Sequence, residues 1–150
     1  MTAIRVDWEE LGFALTWRMD EVRHFLDRET GEVIAWTVDD PEQSEEELDA
    51  RCAQGRLIAI DPLPSSVTYP WMEEFAQTVA AADLRRRLQD ALAGRGPFRR
   101  FKDVLGGYAA ERERWFAFHD QRVRDAARRW LEENGVEVVE PSAPDSGSGR

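Results

Sequence analysis

Cysteine, histidine and lysine are scarce in this 150-residue chain: it holds Cys52, His24 and His119, and Lys102, and little else of those types. A single cysteine excludes an internal disulfide, and two histidines leave little material for a zinc site made only of protein ligands. No apolar run approaches the roughly 18 residues that a membrane-spanning helix needs. The start, MTAIRVDWEELGF, carries acids where a signal peptide would carry positive charge followed by an apolar stretch, so a cytoplasmic location is expected. The chain has the length of one ordinary domain, and its 42% hydrophobic and 33% charged residues fit a globular protein able to bury a core without staples.

What the chain has in excess is acid. There are 30 Asp and Glu against 20 Lys and Arg, a formal net charge of -10, and the charge is unevenly placed. Met1 to Phe75 carries 18 acids and 6 bases, whereas Ala76 to Arg150 carries 12 acids and 14 bases. The contrast peaks between Leu84 and Lys102, where Arg85, Arg86, Arg87, Arg95, Arg99, Arg100 and Lys102 face a single acid, Asp90. If any part of the chain meets an anion, it is this one.

The pattern along the chain predicts an α+β protein, with a small antiparallel sheet of about three strands followed by a helical second half of four to five helices. Asp7 with Glu10, and Val6 with Leu11, mark the start of a helix running from Trp8 to about Arg18. Val22 to Asp27 and Glu32 to Val38 flank the turn Arg28-Glu29-Thr30-Gly31 and read as a hairpin. Ser44 and Glu47 form a capping box for a short helix that Gly55 ends, and Leu57 to Ile60 suits a third strand. Further on, Pro70 fits a first helical turn and Asp83 fits a cap, with Leu84, Leu88 and Leu92 on one face of the helix that follows. Pro97 starts another helix, with Phe98, Phe101 and Leu105 facing one way, and Gly106-Gly107 stops it. The longest helix should span about Glu111 to Asn134. Asn134-Gly135 ends it, Val136 supplies the apolar contact that follows, and Val136 to Val139 could add an edge strand. Residues 1–140 are expected to form one domain and 141–150 a disordered tail.

The catalytic inventory is thin. Cys52 reads as a small buried apolar residue, and His24 as a half-exposed strand residue. His119 adjoins Asp120, but neighbouring helical residues point about 100° apart and form no dyad. The acids Asp39, Asp40, Glu42, Glu45, Glu46, Glu47 and Asp49 lack the spacing and glycine of a calcium loop. They read as a solvated loop and helix start, with a surface for a basic protein partner as the remaining use. No catalytic residue, metal site or cofactor is therefore assigned.

The segment Gly94-Arg95-Gly96-Pro97-Phe98 follows a helix rather than a strand, so it is no nucleotide loop. What it offers is Arg95, Arg99 and Arg100 beside a helix start, able to hold a phosphate or carboxylate, or else to pair with the chain's own acids. Phe116, off the apolar stripe of its helix, is the aromatic expected to be exposed. Asp120 with Arg124 and Asp125 with Arg129 have the favourable spacing of four. The candidate anion- or partner-binding residues are Arg95, Arg99, Arg100, Lys102, Phe116 and His119.

The order of motifs LDRETGEVI, WMEEFAQTV, LQDALAGRGPFRRFKDVL and ERWFAFHDQRVRDAARRWLEENGV resembles a bacterial uncharacterised protein family, number one-five-eight. The likeness covers about Phe25 to Val136, and its most specific part is Gly94-x-Gly96-x-Phe98-Arg99-Arg100-Phe101-Lys102-Asp103 followed by Trp115-Phe116-x-Phe118. The resemblance implies a small α+β protein with a hairpin and a helical second half, and brings no activity with it. The leading expectation is a non-enzymatic interaction or regulatory module with a protein partner and no membrane association. The alternatives are a nucleic-acid-binding protein using Leu84 to Lys102, against which the overall negative charge counts, and a small hydrolase centred on His119.

Overall fold

The computed structural model describes residues 3–17 and 21–139. In order along the chain, the elements are α1 (Trp8–Thr16), β1 (Val22–Asp27), β2 (Val33–Thr37), α2 (Glu45–Ala53), β3 (Leu57–Ile60), α3 (Ser65–Gln77), α4 (Ala82–Ala93), α5 (Pro97–Leu105) and α6 (Ala109–Glu133). They form two compact units, one reaching to Pro62 and resuming at Arg124, the other spanning Leu63–Val123. The helix α6 thus contributes to both.

The first unit is organised by local signals that the chain carries in plain form. Asp7 caps α1, its side chain accepting from the Glu10 amide at 3.1 Å. Ser44 and Glu47 satisfy one another's backbone amides in a complete capping box at the start of α2. The strands form an antiparallel sheet in the order β2-β1-β3, with Phe25 opposite both Ile34 and Ala59. At the hairpin turn Gly31 adopts φ 82°, and a Cβ there would collide with the Arg5 carbonyl. Asp27 ties the turn down. It is almost buried, accepts from the Glu29 and Thr30 amides and pairs with Arg56 at 3.2 Å. Burial alone would raise its pKa, but the Arg56 hydrogen bond and the two amides outweigh that and hold the carboxyl below its ordinary value.

Phe25, Trp36, Leu48 and Leu57 make a buried cluster between sheet and α2, with Ile34 and Cys52 packed against it. His24 lies on the other face of β1 and is buried rather than half-exposed as its strand position predicts. Its ring stands edge-on to Phe13, centroids 6.1 Å apart, because α1 covers that face. At the other end of this unit α6 closes with the Val136 amide donating to Leu131 O and the Gly135 amide to Glu132 O, and Val136 is buried as the apolar partner. Val136 to Val139 adds no strand to the sheet. Val138 forms an isolated parallel bridge with Ile4 instead.

The second unit is helical. The helix α3 begins at Ser65 after Pro64, so Pro70 lies inside it rather than in its first turn. The hydrogen bond that Pro70 cannot make is offset by the burial of Trp71, Met72, Phe75 and Ala76 on the same helix. Likewise α4 starts one residue before Asp83, which sits in its first turn rather than at the cap. Leu84, Leu88 and Leu92 of α4, and Phe101 and Leu105 of α5, are buried. Phe75 and Phe101 pack against Trp115, whose ring lies 5.3 Å from Phe75 and 4.9 Å from Phe101. The expected end of α1 near Arg18 and the tail 141–150 lie outside the described residues.

Candidate functional site

The basic segment is divided by two glycines. Gly94 closes α4, and Gly96 takes a left-handed φ of 59° that lets the chain turn into α5, where Pro97 occupies the first position. Gly94 has a second role. A Cβ at this position would stand 2.5 Å from Nη1 of Arg100, so the glycine leaves room for that guanidinium against the backbone. The amphipathic pattern of α5 puts Phe101 and Leu105 inside and leaves Arg99, Arg100 and Lys102 exposed. Arg99 and Lys102, three residues apart, share a face of the helix. Phe98, expected inside, is 38% exposed on the first turn of α5, since burial on this short helix is taken by the two residues that reach the aromatic cluster.

Arg86, Arg87, Arg95, Arg99, Arg100 and Lys102 are all exposed, and among the described residues none of them forms an ion pair or side-chain hydrogen bond. The first amides of α5 receive no side-chain cap either. Several arginines elsewhere are paired instead. Arg23 holds Glu45 and Asp49 at 2.8 and 3.2 Å, Arg122 holds Glu74 at 2.7 Å, and Arg114 holds Glu111 at 2.9 Å while its guanidinium lies over the Phe75 ring. Arg85 is also spent internally, donating to Val79 O at 2.9 Å. On α6 an acid–base contact is seen at a spacing of three. Asp125 lies 3.4 Å from Arg128, at a spacing of three that shares the same face, and Arg128 also reaches over the Trp8 ring.

His119 is held between aromatic rings, 5.7 Å from Trp71 and 5.4 Å from Trp115. Burial depresses its pKa, Asp120 opposes this and the charge of Lys102 adds to it, so the imidazole is neutral at physiological pH. No carboxylate among the described residues hydrogen-bonds to it, so the geometry supplies no acid–base pair. Phe116, on the same helix, is 49% exposed. Cys52 is half-buried, and its thiol is pushed up by burial and then by Asp49, with Arg23 and a backbone hydrogen bond at Ala59 opposing, which favours the protonated form. Four of the acids of 39–49 are committed locally: Asp40 accepts from the Glu42 and Gln43 amides, Glu47 completes its capping box, and Glu45 and Asp49 share Arg23. Among the described residues no group of three or more His, Cys, Asp or Glu is placed to hold a metal ion.

One feature escaped the sequence pattern. The rings of Phe75, Phe101, Trp115 and Phe118 form a contiguous cluster on which the guanidinium groups of Arg114 and Arg122 lie, at 4.6 Å over Phe75 and 4.8 Å over Phe118. The spacing of four between Phe118 and Arg122 is the only local signal for it.

Fold and site together define an α+β protein with a helical second half and an unpaired arginine face around α5. The match to the family model described as "Uncharacterised protein family (UPF0158)" covers residues 2–146, and the chain belongs to this family. It is 31% identical over 148 residues to UPF0158 protein PA5073 of Pseudomonas aeruginosa, an alignment covering 97% of this chain and 94% of that protein. No solved structure matches the chain. Among the described residues no helix is long and apolar enough to cross a membrane.

Proposed function

We propose that this protein is a non-enzymatic cytoplasmic interaction module whose face formed by Arg95, Arg99, Arg100 and Lys102 accepts an anionic partner, in the first place an acidic segment of another protein. The observation that carries this reading is selective pairing. In a chain with ten more acids than bases, Arg23, Arg56, Arg114 and Arg122 all find carboxylates, yet these four cations find none among the described residues. Exposed arginines keep their fork geometry available for carboxylate or phosphate oxygens, and their clustering gives a local field opposite to that of the whole molecule. Affinity capture at low and moderate salt, with the native protein beside an Arg95→Ala, Arg99→Ala, Arg100→Ala variant, tests this. Partners held by the first and lost by the second support the reading. No partner at either salt, or an unchanged set, contradicts it.

A second reading, single-stranded nucleic acid, is favoured by the exposure of Phe98 and Phe116 beside arginine-rich stretches, since exposed rings offer stacking platforms. A salt titration with an oligonucleotide separates the two readings. Phosphate contacts give a linear fall of log affinity with log salt, and absence of binding at low salt removes this reading.

A further inference from the structure

The strand β2 is one of the two edges of the sheet, β3 being the other. The Asp27 amide donates to Glu32 O, and in the alternation of an antiparallel ladder this turns the backbone groups of Glu32, Ile34 and Trp36 toward β1 and those of Val33, Ala35 and Thr37 away from it. Thr37 O accepts from the Asp40 amide, but among the described residues the outward N–H groups of all three, and the carbonyls of Val33 and Ala35, meet no partner. The strand reads VIAWT, without the lysine, proline or inward charge by which edge strands are usually blunted.

The end of β2 runs directly into an open depression of about 590 Å³. Trp36 forms part of its wall, donating from Nε1 to Gln43 O at 2.9 Å, and five acids line it, Asp40, Glu42, Glu45, Glu46 and Glu47, with no basic residue among the lining. The carboxylates of Glu42 and Glu46 have no cation within this wall. Gln43, also in the lining, has its Oε1 fully buried with no hydrogen-bond partner, an acceptor left unused.

From these we infer that the outer edge of β2 and the acid-lined depression at its end form one docking site for an extended basic peptide segment of a partner protein. The peptide adds a strand to β2 through the outward groups of Val33, Ala35 and Thr37, and an arginine or lysine beyond that stretch enters the depression, where Glu42 and Glu46 face it. A second copy of this chain fits the site less well. Antiparallel self-pairing about Ala35 sets Glu32 opposite Val38, and the stretch from Glu32 to Asp40 carries no arginine or lysine that could enter the partner's acid-lined depression. The site is separate from the arginine face and does not depend on the reading given for it.

The test uses the whole protein and peptides of about nine residues, a length that spans an ordinary strand. One alternates arginine with valine, the other glutamate with valine. Amide hydrogen exchange is expected to slow on the order of tenfold at Val33, Ala35 and Thr37 with the arginine peptide, to stay unchanged at Ile34 and Trp36, and not to respond to the glutamate peptide. The double charge reversal Glu42→Lys, Glu46→Lys should weaken binding of the arginine peptide on the order of tenfold. Ala35→Pro removes one outward donor without touching the ladder to β1 and should weaken it as well. No slowing at those amides, equal binding of both peptides, or full binding by the charge-reversed protein would overturn the inference. So would slowing that grows with protein concentration when no peptide is present, since it would assign the edge to a second copy.

Discussion

The guanidinium of Arg100 occupies the place that a side chain at position 94 would need: a Cβ on Gly94 would stand 2.5 Å from Nη1. This gives the glycines of Gly94-x-Gly96 two different reasons. Gly96 takes a left-handed backbone, whereas Gly94 has φ -95° and ψ -167°, which any residue can adopt. Gly94 therefore closes α4 in a conformation open to any residue, and it is Arg100 that its missing side chain serves.

Gly94→Ala should accordingly leave the fold almost untouched and move only the far end of a flexible side chain. The melting temperature is expected to stay within about 2 °C of the native protein, while affinity for an acidic polymer such as polyglutamate falls several-fold, on the order of one lost charge-assisted contact. Calorimetry and a titration check the two halves. A large loss of stability, or an unaltered affinity, would speak against this account of the position.

Gly31→Ala should behave in the opposite way. There the backbone is left-handed at φ 82°, and the added methyl meets the rigid carbonyl of Arg5. The two costs together should exceed about 2 kcal/mol, or a fall in melting temperature of about 4–8 °C for a chain of this size. Thermal unfolding followed by circular dichroism measures it.

Acid should destabilise the protein in two stages. The pKa of His119 is depressed by burial, with Asp120 opposing and Lys102 reinforcing, and that of His24 by burial with Glu10 opposing. A depressed histidine leaves the unfolded chain binding more protons than the folded one. Stability is thus complete above the ordinary histidine value of about 6.5 and declines as pH falls below it. Asp27, held low by Arg56 and two amides against the opposing effect of burial, contributes stability that is lost only below about pH 3.8, as pH falls toward its own lowered value. Urea midpoints at pH 7.5, 6 and 5 should decrease in that order, and His119→Gln should flatten the decrease. A midpoint that rises toward pH 5 would contradict the burial of both rings.

What could be read from the chain beforehand divides by the range of the interaction. The caps at Asp7 and at Ser44 with Glu47, the hairpin turn at Gly31 and the start of α5 at Pro97 are settled by residues within four positions of one another, and all stand where their signals put them. The start of α3 at Ser65 carries no apolar signal, since residues 65–67 are exposed and the buried face begins only at Trp71, so Pro70 is the one strong local mark and it lies inside the helix. Burial of His24 depends on α1 lying over β1, and exposure of Phe98 on which α5 residues reach the aromatic cluster, neither of which is encoded nearby. The candidate site shows the same division. The cluster of cations was visible as composition, whereas the question of which arginines find carboxylates is decided by partners as remote as Glu74 for Arg122 and Glu45 for Arg23.

Arg95, Arg99 and Arg100 form a face available to anions, whereas Arg23, Arg56, Arg114 and Arg122 are held by carboxylates of the protein itself. Following the side-chain Nε–H resonances of all arginines by NMR during a titration with polyglutamate tests it most directly. Saturable shifts are expected at Arg95, Arg99 and Arg100 at concentrations that leave Arg23, Arg56, Arg114 and Arg122 unmoved. Equal and unsaturable shifts at every arginine, or none at the three, would contradict it.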